Sequence, residues 1–556
     1  MNICKHICFF VTVLVAVSCS SQKTARVGKA ETVDYTYPKF TQKDSLRGAL
    51  NPFRTCYNVL HYTLTIDVNP QKKSIQGYVD MQFSVMQHTE KMQVDLFKNM
   101  TMDSIVLHGK RLKFERKYDA VFIQIPQLEI GKTETIRMYY KGKPLEAPRP
   151  PWEGGFVWKK DEQKNPWIGV ACELVGASLW WPCKDHLSDE PEYGVTMNVT
   201  VPQGLTVVSN GKLLEQKSYK GKDTFTWQTK YTINNYNVTL YIGKFEHFSE
   251  KYKGIDTTIT LDYYVLPEHL EKTKITFQQT SNILRYYESI YGPYPWPTEG
   301  FKLVGSPYEG MEHQTAIAYG TGFRTHHLGF DYIILHESAH EWWGNSISVD
   351  DFADIFIHEG FATYSEALFI EHTYGVKEAE RYMYKYAGYI KNKNPIVGPR
   401  DVNFWDYKDT DPYMKGAWTL HGLRYVINND SLFFDILKTY YNTRAYSIVT
   451  VKDFTDFVQQ KSGMNLEWYF TQYLYSRHVP TLEYVAYKKD NIVTIEMRWA
   501  NVQSNFALPV QIDLNGEPIR VLPSTEPKRF VFHNVTEIEL NPYKAYFIVK
   551  KVESFK

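Results

Sequence analysis

Two histidines near the middle of the chain have the spacing that lets both bind one metal ion, and a glutamate lies between them. His336 and His340 are four residues apart in the segment His-Glu-Ser-Ala-His, and Glu337 lies between them. On a helix, positions i and i+4 share one face, so both imidazoles can bind a single ion. Glu337 is one position on, where a carboxylate holds a water molecule rather than the metal. The pattern predicts one zinc ion per chain and hydrolysis by a zinc-activated water, with Glu337 as the base.

Glu359 is the candidate for the third ligand. It follows His340 after eighteen intervening residues, within an apolar segment that predicts a second helix over residues 354–373. A carboxylate on the buried face of a helix needs a partner, and a metal ion is one that satisfies it. His358 is the nearest alternative ligand, but it is adjacent to Glu359, and adjacent side chains on a helix point in different directions. We expect Glu366, two turns further on, to be a solvated or capping charge rather than a contact of a ligand.

The segments that must position these residues change from strand-like to helix-like and back. Apolar and polar residues alternate in short runs from residue 57 to about 250, which predicts a β domain. From about 270 the apolar spacing becomes helical, with helices predicted over 270–291, 377–390, 415–427, 432–443, 451–461 and 466–475. Alternation then returns up to residue 552, a length that fits a small β-sandwich. We therefore predict an α+β multidomain chain, with domains at 48–255, 256–478 and 479–556.

Composition and cysteine count limit the partners and the disulfides. The net charge is +1 over 556 residues, which argues against a nucleic-acid-binding surface. Cys56, Cys172 and Cys183 are the cysteines that follow the N-terminal segment, and three thiols cannot all pair. Cys172 and Cys183 could form a disulfide, or both could be buried free thiols. None of the three is close in sequence to the histidine motif, which argues against thiolate ligation of zinc.

The N-terminal segment predicts export. Residues 1–18 have the pattern of a signal peptide, with Lys5 before an apolar run over 7–17 that is too short to span a membrane. The run ends in Ala-Val-Ser-Cys, which is similar to a bacterial lipobox, so we expect a lipid anchor at Cys19 and a tether over 19–47. An ordinary cleaved signal peptide is the alternative. The expected location is a membrane of a Gram-negative bacterium, facing the periplasm.

Further motifs, together with the metal pattern, resemble the aminopeptidase N family of zinc metallopeptidases, the gluzincins. The likeness extends from about residue 46 to 552. Its landmarks occur in the family's order: residues 180–185 are similar to W-x-P-C-x-D, residues 308–313 to G-x-M-E-N, the His336 motif with Glu359 to the metal pattern, and residues 412–416 to Y-x-K-G. Two residues depart from the second motif, because Glu309 stands where it has its first Gly and His313 replaces its Asn.

This resemblance implies a fold, an activity and further site residues. The fold is an N-terminal antiparallel β-saddle domain, a thermolysin-like catalytic domain that is mainly helical, and a C-terminal β-sandwich. Tyr413 is expected to donate a hydrogen bond to the oxyanion. Glu312 and Glu173 are expected to bind the α-amino group of the substrate, with Gly310 and Met311 lining the same site. The implied activity is that of an aminopeptidase acting on peptides with a free N-terminus.

Two other functions stay open at this level. A zinc ion and a tyrosine can also hydrolyse an epoxide or an ester. A relative with altered motifs can bind peptides without cleaving them, although the intact metal pattern and Tyr413 argue against that. Release of a chromophore from amino-acid anilides, with and without a chelator, distinguishes these functions.

Overall fold

The computed structural model describes residues 37–320, 322–406 and 408–555. The predicted signal peptide, Cys19 and most of the tether lie outside these ranges. Residues from Phe40 onward form one unit, to which all the elements below belong. Among the described residues, no helix combines the length and the apolar character needed to cross a bilayer.

Strands dominate the N-terminal part because its side chains alternate between core and surface. In the first strand Tyr62, Leu64 and Ile66 are buried and the residues between them are less so. The elements are α1 (Gln42–Gly48), α2 (Pro52–Thr55), β1 (Tyr57–Asn69), β2 (Ser74–Val85), β3 (Lys91–Asp95), β4 (Met100–Leu107), β5 (Lys110–Leu112), β6 (Phe114–Lys117), β7 (Ala120–Gln124), β8 (Thr133–Gly142), β9 (Gly155–Lys160), β10 (Pro166–Ala171), β11 (Val195–Pro202), β12 (Thr206–Ser209), β13 (Lys212–Tyr219), β14 (Lys222–Thr229), β15 (Leu240–Gly243), β16 (Glu246–Lys253) and β17 (Thr258–Val265).

An eight-stranded sheet with the order β13-β14-β11-β1-β2-β8-β4-β5 forms the centre of this part. Smaller sheets have the orders β12-β15-β10-β9 and β3-β7-β6. The prediction of a wholly antiparallel domain is wrong at one pair, because β1 and β11 run parallel with Tyr62 beside Val195. Parallel neighbours need a long crossover, which the chain between Asn69 and Val195 supplies. The N-terminal part is thus β-rich, as predicted, with a mixed central sheet.

Strand β10 ends just before Glu173, the first predicted site residue along the chain. It ends at Ala171, and Glu173 follows two residues later. Cys172, between them, and Cys183 are both buried free thiols, so the alternative of a disulfide is ruled out for this pair. Cys172 lies instead against the backbone carbonyl of Tyr236, with its Sγ 3.3 Å from that oxygen.

The middle of the chain is mainly helical, as predicted. The helices are α3 (Leu270–Thr276), α4 (Thr280–Tyr291), α5 (Tyr332–Ala339), α6 (Phe356–Tyr374), α7 (Val376–Ala387), α8 (Asp411–Ile427), α9 (Asp430–Arg444), α10 (Val451–Ser462) and α11 (Glu467–Leu474). Short strands lie between them: β18 (Phe301–Gly305), β19 (Ile317–Tyr319), β20 (Ile347–Val349) and β21 (Ser447–Val449). One sheet has the order β16-β17-β18-β19, so the predicted domain boundary at 255 falls between two paired strands.

Helix α5, which carries the histidine motif, is shorter than the sequence predicts. It begins at the cap Asp331, whose carboxylate accepts from the backbone N–H of Ile333 and Ile334. The sequence of residues 341–343 predicts that the helix continues to Gly344, but the regular helix ends at Ala339. His340 keeps helical backbone angles (φ −63°, ψ −20°), so the i and i+4 imidazoles still share a face. Beyond it the chain turns away at Gly344, whose φ of +123° suits glycine.

Strands return at the C-terminal end, as predicted. They are β22 (Thr481–Lys489), β23 (Ile492–Ala500), β24 (Val510–Leu514), β25 (Glu517–Val521), β26 (Lys528–His533), β27 (Ile538–Asn541) and β28 (Ile548–Lys551). They form two sheets, β26-β23-β22-β28 and β25-β24-β27, which is the number that a sandwich needs. Phe506 joins this part to α11, since its ring packs against Trp499 (centroids 5.2 Å apart) and Trp468 (5.1 Å).

Candidate active site

Three buried side chains from α5 and α6 converge on one point. His336 Nε2 lies 3.2 Å from His340 Nε2 and 3.4 Å from Glu359 Oε2, and the third distance, His340 Nε2 to Glu359 Oε2, is 3.5 Å. Ligand atoms held about 2.0–2.2 Å from a tetrahedral zinc lie roughly 3.3–3.6 Å apart. Glu359 Oε2 accepts no properly aligned hydrogen bond in the described chain. These residues therefore fit a zinc ion, and they are the metal-binding group expected from the sequence.

Contacts behind the two histidines orient their rings. His336 Nδ1 donates to Glu366 Oε1 (2.6 Å) and His340 Nδ1 donates to the Trp343 carbonyl (2.8 Å). With Nδ1 protonated, each imidazole presents the lone pair of Nε2 to the metal site.

The prediction for Glu366 was wrong. Its side chain is fully buried, and its second oxygen accepts from the hydroxyls of Tyr382 (2.5 Å) and Tyr386 (2.7 Å). Glu366 lies seven residues after Glu359 on α6, which puts both on the same face of the helix. That spacing was the signal available in the sequence. The tyrosines that satisfy the carboxylate come from α7.

Glu337 lies beside the ligands and against a glycine. It is 5 % exposed, and burial raises its pKa to about 8, although the nearby histidines lower it. A Cβ at Gly310 would lie 2.1 Å from Glu337 Oε1 and 2.8 Å from Ile333 Cδ1, so any larger residue there would displace the Glu337 carboxylate. The family resemblance implies a strand along the segment that contains Gly310. The chain is irregular there, and a single bridge from Met311 to Ala318 ties it to β19.

Two more carboxylates, the half-buried Glu173 and the buried Glu312, line the same cavity as the ligands. Glu312 is 3 % exposed, and its Oε1 accepts from the Tyr236 hydroxyl (2.9 Å). Glu173 Oε1 is buried and has no hydrogen-bond partner in the described part of the chain. Burial raises the pKa of both groups, and the charge of Glu312 raises that of Glu173 further. A carboxylate pair of this kind calls for a positively charged ligand.

Tyr413 projects from the first turn of α8 toward the ligands. Burial and the charge of Glu359 raise its pKa well above the ordinary value, so the phenol keeps its proton and can donate. Its ring lies between two others: His336 (centroids 6.2 Å apart, planes at 23°) and Trp405 (5.7 Å, 31°). No sequence pattern indicated Trp405, which lies in the irregular segment before α8.

Two glycines let α6 and α8 approach closely. A Cβ at Gly416 would lie 2.9 Å from the Cα of Gly360, and a Cβ at Gly360 would lie 2.7 Å from Cδ2 of Phe356. Gly360 follows Glu359, and Gly416 is three residues after Tyr413. The crossing point therefore sets the distance between the third ligand and the tyrosine.

All nine predicted site residues line one cavity of about 660 Å³. The lining comprises Pro151, Trp152, Glu173, Leu174, Glu309, Gly310, Met311, Glu312, Tyr332, Ile333, His336, Glu337, His340, Glu359, Trp405 and Tyr413. Six of these lining residues were missed from the sequence: Pro151, Trp152, Leu174, Tyr332, Ile333 and Trp405. Pro151 and Trp152 belong to a Pro- and Trp-rich stretch that was predicted only as a long loop.

The two residues that depart from the G-x-M-E-N motif, Glu309 and His313, lie in different environments. Glu309 lines the cavity, with its side chain 44 % exposed and its Oε1 accepting from Arg324 Nη2 (3.0 Å). His313 is fully buried and faces away from the lining, with its Nδ1 2.7 Å from the Tyr241 hydroxyl. Burial lowers the pKa of His313 to about 3, so it is neutral. His313 is therefore part of the core, whereas Glu309 changes the surface that a substrate meets.

Comparison with known proteins identifies relatives of this architecture. Two models of one family match the chain: the Peptidase M1 N-terminal domain over residues 58–236 and the Peptidase family M1 domain over 275–473. Leukotriene A-4 hydrolase of Xenopus laevis is 22% identical over 72% of this chain and 68% of its own length. Leucyl aminopeptidase of Saccharolobus solfataricus is 21% identical over 88% of this chain. The chain spans 63% of that aminopeptidase's length.

Solved structures share the fold. The M1 zinc metallopeptidase of Deinococcus radiodurans superposes with a TM-score of 0.66 at 23% identity, covering 80% of this chain and 97% of that one. A mutant of the same enzyme has been solved with a bound Tyr-Ser-Ala substrate.

Proposed function

Because the chain belongs to peptidase family M1, whose members are zinc metallopeptidases, we propose that it is an aminopeptidase that removes N-terminal residues from peptides. The observation that carries the proposal is the pair Glu173 and Glu312, whose carboxylates line the same cavity as the three zinc-binding side chains. Neither carboxylate forms an ion pair with a lysine or arginine of the described chain. The Tyr-Ser-Ala complex of the Deinococcus enzyme supports a peptide as the substrate.

The carboxylate pair explains selectivity for a free N-terminus. An α-ammonium group would lie between Glu173 and Glu312 and neutralise charges that burial otherwise penalises. An internal segment of a peptide offers an uncharged amide there, so both carboxylates would stay buried without a cation. The Tyr236 hydroxyl holds Glu312 in place. We expect an α-amino group held by this pair to leave room for one residue before the bond that is cut.

The remaining residues have defined roles in the reaction. Zinc held by His336, His340 and Glu359 would lower the pKa of water and polarise the scissile carbonyl. The Glu337 carboxylate accepts the proton of the attacking water and delivers it to the leaving amine. The Tyr413 hydroxyl donates a hydrogen bond to the oxyanion that develops on the substrate carbonyl.

Turnover of amino-acid anilides tests the proposal. We expect the full chain to release the chromophore, a chelator to abolish release, and added zinc to restore it. Purified protein should contain one zinc per chain, and the His336→Ala, His340→Ala double variant should contain none. Full activity in chelator, or stoichiometric zinc in the double variant, would overturn the assignment of these ligands.

Hydrolysis of an epoxide or ester is the alternative reaction, and one relative carries the name leukotriene A-4 hydrolase. The pair Glu173 and Glu312 favours an ammonium over a neutral substrate group. Zinc-bound protein that cleaves esters but no anilide or peptide would support the alternative. Peptide binding without any turnover would support a non-catalytic role.

We also propose that the protein is a lipoprotein anchored through Cys19. The support is the apolar run over residues 7–17 followed by Ala-Val-Ser-Cys. Incorporation of labelled fatty acid into the parent, and its loss in Cys19→Ala, is the expected result. Equal labelling of both would refute the anchor, and fractionation of cells would test the periplasmic location.

A further inference from the structure

We propose that Glu309 makes this enzyme select peptides whose second residue is positively charged, a proposal that rests on the aminopeptidase function. Glu309 stands immediately before Gly310 and lines the cavity. Its side chain is 44 % exposed, in contrast to the buried Glu312 and Glu337. It is therefore the carboxylate that an incoming peptide meets at the open side of the site.

The reaction itself fixes where the second residue lies. Glu337 must reach the leaving amine, which is the backbone nitrogen of the second residue. Gly310 packs against the Glu337 carboxylate, because a Cβ at Gly310 would lie 2.1 Å from Glu337 Oε1. The second residue must then pass along the segment that begins at Glu309. The first residue points the other way, toward Glu173 and Glu312.

The Glu309 carboxylate is paired with an arginine but lines the cavity itself. Arg324 Nη2 donates to Glu309 Oε1 at 3.0 Å, but Arg324 is not among the residues that line the cavity. The arginine approaches from outside, and its side chain is 73 % exposed. A substrate lysine or arginine on the cavity side can therefore approach the carboxylate directly. A substrate aspartate or glutamate would meet a like charge there.

Neighbouring groups allow a long side chain to reach Glu309. Tyr332 and Ile333 line the same side, and the Tyr332 ring stacks on His336 at 5.5 Å between centroids. The apolar stem of a lysine or arginine can cover these surfaces while its charged end reaches the carboxylate. The pairing is partly exposed to water, so its contribution is that of a surface ion pair, about fivefold in rate or affinity at most.

Three peptides that differ only at the second residue test the proposal: Leu-Lys-Gly-Gly, Leu-Gln-Gly-Gly and Leu-Glu-Gly-Gly. For the zinc-loaded full chain we expect kcat/KM to fall in that order, with a Lys-to-Glu ratio of about five. The ratio should approach one in Glu309→Gln and should weaken at high salt. Because each ratio is taken within one variant, a partial loss of folded protein cancels.

Two controls make the result specific. Glu271→Gln removes a carboxylate that is 83 % exposed, bonded to Lys274 and outside the cavity lining, and should leave the ratio unchanged. Binding of the same peptides to the Glu337→Gln variant, measured by calorimetry, gives the preference without turnover. This binding preference should disappear in the Glu309→Gln, Glu337→Gln double variant.

An equal rate for all three peptides, or a Lys preference that persists in Glu309→Gln, would overturn the proposal. A preference for Glu that is lost in Arg324→Gln would show that the arginine meets the substrate instead. Leucine anilide tests the aminopeptidase function separately, because it has no second residue. If the parent does not turn it over, the aminopeptidase function itself has failed.

Discussion

Alanine at Gly416 should damage catalysis more than stability. A Cβ at this position would lie 2.9 Å from the Cα of Gly360 and 3.1 Å from Cδ2 of Phe356. The first contact is about 0.5 Å short of ordinary van der Waals contact at 3.4 Å, and it is made to backbone, which cannot rotate away. Helix α8 must therefore move from α6. That movement carries Tyr413 away from Glu359 and the other ligands.

The expected loss of stability is small, whereas the expected loss of kcat is large. Overpacking of a tight contact costs about 1–3 kcal/mol, whereas replacing a helical glycine by alanine gains about 1 kcal/mol. The net loss in free energy of unfolding is then about 0–2 kcal/mol, too small to unfold a stable domain at the assay temperature. A misplacement of about 1 Å in an active site costs roughly 100-fold, so half of that should lower kcat about tenfold.

The assay compares kcat on an amino-acid anilide with the midpoint of thermal unfolding, for parent and variant loaded with zinc. Gly398→Ala is the matched control, because a Cβ there would meet nothing closer than the Cα of Ala353 at 4.0 Å. We expect the control to keep the kcat of the parent. A Gly416→Ala variant with kcat within twofold of the parent would refute the reasoning. So would a loss of activity that matches the loss of folded protein.

Three further substitutions test single contacts. Glu366→Gln should weaken zinc binding about 10–100-fold, because the amide makes a weaker hydrogen bond with His336 Nδ1 than the carboxylate does. An unchanged zinc affinity, measured in competition with a chelator, would contradict this. Tyr413→Phe should lower kcat about 10²–10³-fold with little change in KM, since the lost donor acts on the oxyanion; an effect confined to KM would reassign the tyrosine to substrate binding. Trp405→Ala should lower kcat more than it raises KM, because the Tyr413 ring loses one of the two rings beside it, and Trp405→Phe should restore most of the loss. Equal kcat in Trp405→Ala and the parent would show that the indole does not position the tyrosine.

The sequence was most informative where a site depends on spacing within one element. His336 and His340 are predictable because four residues on a helix fix their relative position. Glu359 could be found because an acid in an apolar helix needs a partner. The change from strands to helices and back was also visible, since periods of 2 and 3.6 residues differ clearly.

Contacts between distant segments could not be predicted in the same way. The partners of Glu366 are tyrosines of α7, and no local pattern shows that they meet it, so the acid was assigned to the surface. Trp405 lies in an irregular segment, where side-chain direction follows no period. The parallel pairing of β1 with β11 depends on a crossover of the whole intervening chain. Helix α5 ends at Ala339 because of turn geometry around Gly344 rather than a change in residue type.

The central claim is that Glu173 and Glu312 bind a free α-amino group next to the zinc site. Its most direct test is mass spectrometry of one peptide, offered to the zinc-loaded enzyme with a free and with an acetylated N-terminus. We predict stepwise loss of single N-terminal residues from the free peptide. We predict no cleavage of the acetylated peptide, because acetylation removes the charge that the carboxylates bind. Cleavage of both forms at similar rates, or at internal bonds, would contradict the account even if the zinc chemistry holds.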